Sequence, residues 1–206
     1  MALLDLFRTR RSVVPDDLAR FLEAQGAYVA QKTVLDYCRV KSGRYEKRYF
    51  TDADFIAALN HCRWQVYFAA LNDVAALLEA HFRPHFHENE GLLADWLVAQ
   101  HADTLRREPP PDEEMASAEI ARDTLPRHLA ELQSAPPIPA HRLPLLAEPI
   151  LFATLPIHAD QRKGESIAIR GALRFQIVTT QQELERRFDA PAMATAISQA
   201  ARRGAE

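Results

Sequence analysis

Arg63, Gln65 and Tyr67 form the first of three groups in this sequence whose residue types and spacing could do chemistry. They lie in Thr51–Arg83, a stretch without proline or glycine that propensity favours as one long helix. At about 100° per residue, Arg63 and Asp73 both project into apolar surface, and about 15 Å of rise keeps them from pairing with each other. A charge at a packed position needs a partner or an aqueous cleft, since burying it alone costs several kcal/mol. Arg63 therefore bridges to a carboxylate on a neighbouring helix, Asp36 being one option, or it lines an anion-accepting pocket with Gln65 and Tyr67.

The second group is His81, His85 and His87, followed by Glu88 and Glu90. Imidazole plus carboxylate suits zinc or a similar ion. Pro84 separates the first two histidines, so they need not share a helical face as they would in H-E-x-x-H. The plainer expectation is a polar loop in which His87 or Asn89 caps the next helix. The third group is Arg39, Lys41, Arg44, Lys47 and Arg48, interleaved with Tyr45, Tyr49 and Phe50 and opposed by Glu46. Cations with aromatics suit phosphates, bases or an anionic surface. Without an accompanying nucleic-acid motif, a solvated connection is the simpler expectation.

The elements that must hold these groups are mostly helical. Pro15 with Asp16 and Asp17 starts a helix, which Gly26 kinks or ends, and a second amphipathic face runs to Ser42-Gly43. In the long helix Thr51 is the expected N-cap. One apolar stripe runs Phe55, Leu59, Cys62, Val66, Ala70, Val74, Leu77. A second runs Trp64, Phe68, Leu71, Ala75, Leu78, Phe82, leaving a polar strip of His61, Gln65, Asn72 and Glu79. A helix apolar on two sides is the hub of a bundle. The short link at Pro84 makes the helix carrying Leu93, Trp96 and Leu97 its neighbour. The prolines at 109–111 form a spacer, Glu113–Ser134 reads as helix broken or restarted at Pro126, and Ala135–Pro149 reads as a tether draped over the surface. Ile150–His158 and Ser166–Val178 are rich in β-branched residues and read as a two-stranded β element, followed by short helices capped at Thr180 and Asp189. The expected fold is mainly α: a helical bundle core over 1–107, a proline-flanked helix and tether over 108–149, and a small α/β element over 150–206, together one globular unit.

Net charge is −3, and it is unevenly placed: +4 over residues 1–50, −4 over 51–107, −5 over 108–149 and +2 over 150–206. That balance argues against wholesale nucleic-acid binding. Two cysteines give no disulfide framework, which favours a reducing cytoplasm, and no apolar run reaches membrane-spanning length. The words YCRVKSG, CRWQVYFAALNDV and LPIH resemble a family of uncharacterised alphaproteobacterial proteins of similar length. The likeness covers about a third of the chain. It implies a bacterial source and no particular activity. An esterase label carried by some such proteins has no support in the residues. There is no G-x-S-x-G elbow, and Ser12, Ser42, Ser117, Ser134, Ser166 and Ser198 lack its setting. The expected function is a non-enzymatic interaction or adaptor module with a protein partner, possible homodimerisation and no cofactor. The alternatives are a small hydrolase-like or metal-dependent enzyme at Arg63 and Tyr67, and an anionic-surface binder through Arg39–Arg48.

Overall fold

The computed structural model describes residues 11–86 and 90–204. Helix α1 spans Pro15–Ser42, α2 is the single turn Glu46–Tyr49, and α3 spans Ala53–Phe82. Then follow α4 (Glu90–Arg107), α5 (Met115–Gln133), α6 (Ala147–Thr154), α7 (Ser166–Arg187) and α8 (Ala190–Gly204). Helix α3 is the hub, touching α1, α4, α5, α6, α7 and α8. One apolar cluster runs through these helices, from Leu18 of α1 to Ile197 of α8.

Helix α1 opens on Pro15 with Asp16 and Asp17 in its first turn, where carboxylates suit the positive end of the dipole. It closes at Gly43, whose φ of 48° returns its N–H to Arg39 O. Gly26 neither kinks nor ends it. A Cβ there would lie 2.9 Å from Leu71 Cδ1 and 3.2 Å from Leu71 Cα, so this glycine is where α1 and α3 come closest. Asp52, not Thr51, caps α3, its carboxylate accepting from Phe55 N at 2.9 Å. Thr51 instead donates its hydroxyl to Lys47 O and Arg48 O.

Every residue of α3 from Phe68 to Glu79 is buried, whereas from Ala53 to Val66 only Phe55, Leu59, Cys62 and Val66 are. Apart from the exposed His61 ring, the polar strip is not a solvent face. It is the seam to α5: Asn72 Nδ2 donates to Ala121 O, and Gln133 Nε2 donates to Glu79. Arg83 pairs with Glu79 at 3.0 Å and donates to Ala135 O at 2.9 Å, closing the carboxyl end of α5. Helix α5 is continuous through Pro126.

The β element is absent: among the described residues the β pairing is an isolated bridge between Ser12 and Phe188. Ile150 lies in α6, and residues 166–178 lie in α7. Helix α7 buries Ile169, Leu173, Ile177, Thr180 and Leu184, a helical spacing. Its other side exposes Ile167 and Phe175, and apolar residues on both sides imitated strand alternation. Burial on the hub overrides the β-branched preference. Thr180 caps nothing; mid-helix, its hydroxyl donates to Gln176 O at 2.9 Å. Nor is the proline tether merely draped: Leu143 is fully buried, and Arg174 donates to Ala140 O and Leu143 O at 2.8 and 2.6 Å. Among the described residues no helix is long and apolar enough to cross a membrane.

Candidate functional site

The two misplaced charges of α3 have different fates. Asp73 is fully buried and accepts the backbone N–H groups of Leu146 and Ala147 at 2.7 and 3.0 Å. It thus caps α6 across the core. Burial pushes its carboxyl up to about 7, against the pull of those two donors and of Arg174. Arg63 is half-buried and donates to Asn60 Oδ1 on its own helix at 3.3 Å. The Asp36 partnership does not form; Asp36 pairs with Lys32 at 2.7 Å.

Arg63 opens onto a groove of about 1330 Å³. Its floor is the stripe Ala53, Ala57, Asn60, Trp64 and Tyr67 of α3. Ala24 and Ala27 of α1, with Arg20 and Glu23 above them, make one wall. Glu108, Pro111, Glu113 and Glu114 make the other. The groove follows from helix lengths. Helices α1 and α3 run about 42 and 45 Å, while α4 and α5 run about 27 and 28 Å. Arg107 at the end of α4 is fastened to Glu23 at 2.6 Å. Beyond that point no helix among the described residues covers the groove side of the α1–α3 pair, and alanines leave room for one.

Tyr67 closes the inner end, its ring edge-on to Trp64 at 5.8 Å, and Trp64 stacks on Phe68 at 5.7 Å. Burial pushes the Tyr67 hydroxyl up to about 12, with the Glu23 and Glu108 carboxylates adding to the rise. Gln65 does not face the groove. It donates to Glu114 Oε2 and Ser117 Oγ, both at 2.7 Å, pinning the start of α5. The other oxygen of buried Glu114 lies 2.7 Å from His61 Nδ1. A carboxylate accepts, so Nδ1 carries the proton and Nε2 is the outward nitrogen of an exposed ring. Sequence reasoning missed this pair. Glu114 sits in a run of acids after three prolines, and nothing in that pattern sets it apart from a solvated charge.

A carboxylate-held imidazole can take a proton from a ligand. Yet His61 and Arg63 stand about 160° apart around α3, on opposite rims, and do not converge on one atom. Cys38 and Cys62 are fully buried, and burial pushes their thiols up to about 12 and 11. They do not supply a thiolate nucleophile.

Of the histidine cluster, His81 packs edge-on against Phe82 at 4.8 Å, and burial holds its imidazole below the ordinary value. It lines a smaller cavity of about 490 Å³ with Arg11, Glu185 and Asp189. His85 ends the turn Arg83–His85, while His87, Glu88 and Asn89 lie outside the described residues. Among the described residues no three of His, Cys, Asp or Glu are grouped to hold a metal. Arg39, Arg44, Lys47 and Arg48 are exposed at the far end of α1, in the Gly43–Tyr45 turn and on α2, with Lys41 half-buried beside them. No family model, curated protein or solved structure matches the chain.

Proposed function

We propose that the protein is a non-enzymatic interaction module that seats a helical segment of a partner protein in the groove over α1 and the amino-terminal half of α3. The observation that carries this reading is the lopsided burial of α3, enclosed from Phe68 to Glu79 but covered on one side only from Ala53 to Val66. The open floor is mostly alanine and aromatic, with few polar groups to orient a small molecule. Its volume of about 1330 Å³ exceeds the roughly 300–1,000 Å³ usual for small-molecule pockets. Alanines at Ala24, Ala27, Ala53 and Ala57 would let a guest helix approach at ordinary packing distance, about 8–10 Å between axes. Arg20 and Arg63, with Glu23, Glu108 and Glu113, give a rim of both signs that would fix register more than affinity.

Site-specific photo-crosslinking tests this. A benzoylphenylalanine at Ala57 of the full chain is expected to capture a partner that the same probe at exposed Ile120 of α5 does not. Filling the groove with Ala27→Trp and Ala57→Arg should abolish capture by a probe at Ile56 while leaving the helical circular dichroism unchanged. Equal adducts from Ala57 and Ile120, or capture undiminished in the filled variant, would overturn the reading.

A further inference from the structure

We propose a second binding surface, independent of the groove: the tip formed by the end of α1, the Gly43–Tyr45 turn and α2 docks on an anionic membrane surface. Between residues 39 and 49 the chain has five cations and one acid. Arg39, Arg44, Lys47 and Arg48 are exposed there. The neighbouring carboxylates are committed. Glu46 pairs with Arg39 at 3.7 Å, and Glu165 accepts from both Tyr37 and Lys41. Asp52 and Asp54 sit at the positive end of α3, where Asp52 caps Phe55 N. Arg44, Lys47 and Arg48 are left to face outward.

Apolar groups stand among these cations. Val40 is 82 % exposed, the most exposed large apolar side chain of the described residues, and Tyr45 and Tyr49 are 48 % and 37 % exposed. Exposed cations interleaved along the chain with exposed valine and tyrosine fit a headgroup layer, where phosphates meet the charges and the apolar groups enter the acyl boundary. Nucleic acid would use the same cations but needs bare aromatic faces for its bases. Here the Arg44 guanidinium lies 4.9 Å over the Tyr45 ring, and Tyr49 packs on Phe55 at 5.3 Å. Val40 has no role on a phosphodiester strand. The observations therefore favour lipid.

The test is co-sedimentation of the full chain with vesicles of phosphatidylcholine alone or with about a third phosphatidylserine. Binding is expected only with phosphatidylserine, and it should weaken as salt shortens the screening length. Reversing Arg44, Lys47 and Arg48 to Glu should weaken it at least tenfold. Val40→Ser, which leaves the charge intact, should weaken it several-fold; all four positions are exposed, so these variants keep the fold. A single-stranded oligonucleotide followed by anisotropy is the competing probe. Oligonucleotide binding without vesicle binding would overturn the proposal in favour of nucleic acid. Vesicle binding indifferent to Val40 and to lipid charge would overturn it outright.

Discussion

Three polar side chains, Asp73 and Arg83 buried and Arg174 half-buried, join segments far apart in sequence. Asp73 holds the N–H groups of Leu146 and Ala147 at the start of α6, Arg83 closes α5, and Arg174 gathers the carbonyls of the proline segment. Asp73→Ala strands one buried and one half-buried donor and is expected to cost about 2–4 kcal/mol in urea unfolding; Asp73→Asn, which keeps an acceptor, should cost less. The folded carboxyl titrates at about 7 and the unfolded one at 3.8. Its stabilising proton uptake is therefore full below pH 3.8 and lost as pH rises through 7. The fall in melting temperature between these limits should be smaller in Asp73→Asn. His101 has the opposite sign. It is fully buried, with no hydrogen-bond partner for either ring nitrogen among the described residues, and burial holds it down at about 4. Stability from the neutral ring is present above its ordinary value of 6.5 and is lost as pH falls through 4. His101→Leu should gain about 1 kcal/mol at neutral pH and show a melting temperature less sensitive to acid.

At the scale of elements, the contact of α1 with α3 is set by one missing side chain. Helix propensity alone favours Gly26→Ala by about 1 kcal/mol. The 2.9 and 3.2 Å approaches to Leu71 oppose it, the second being to backbone that cannot rotate away. A net loss of about 1–3 kcal/mol is expected. A double-mutant cycle with Leu71→Ala should recover part of it, because the smaller side chain removes the closer contact. The long central helix was legible in the sequence because Phe55, Leu59, Cys62 and Val66 keep the helical period without interruption. Helix α7 was not. Ile167 and Phe175 lie outside the core, and their apolar character smeared the period of Ile169, Leu173 and Ile177.

Over the whole molecule, the carboxyl-terminal half completes the hub. Residues 1–107 alone would expose the α3 surface that α5, α6, α7 and α8 cover in the full chain. That fragment is expected to bind anilinonaphthalene sulfonate and to lose cooperative thermal unfolding, whereas the full chain melts in one transition. Charge is distributed at the same scale. A cationic tip occupies the turn from α1 into α2, while the groove wall at 108–114 is acidic.

The sequence by itself determined the helical class, the hub and the suspicion attached to Arg63 and Asp73. Periodicity and misplaced charge are local properties that one chain segment carries alone. What those charges touch was decided only by the tertiary structure. Asp73 meets backbone more than seventy residues away, Glu114 meets His61 across fifty-three, and neither spacing has a period. The groove is of the same kind. It exists because α4 and α5 end before α1 and α3 do, and no pattern within either pair records the length of the other.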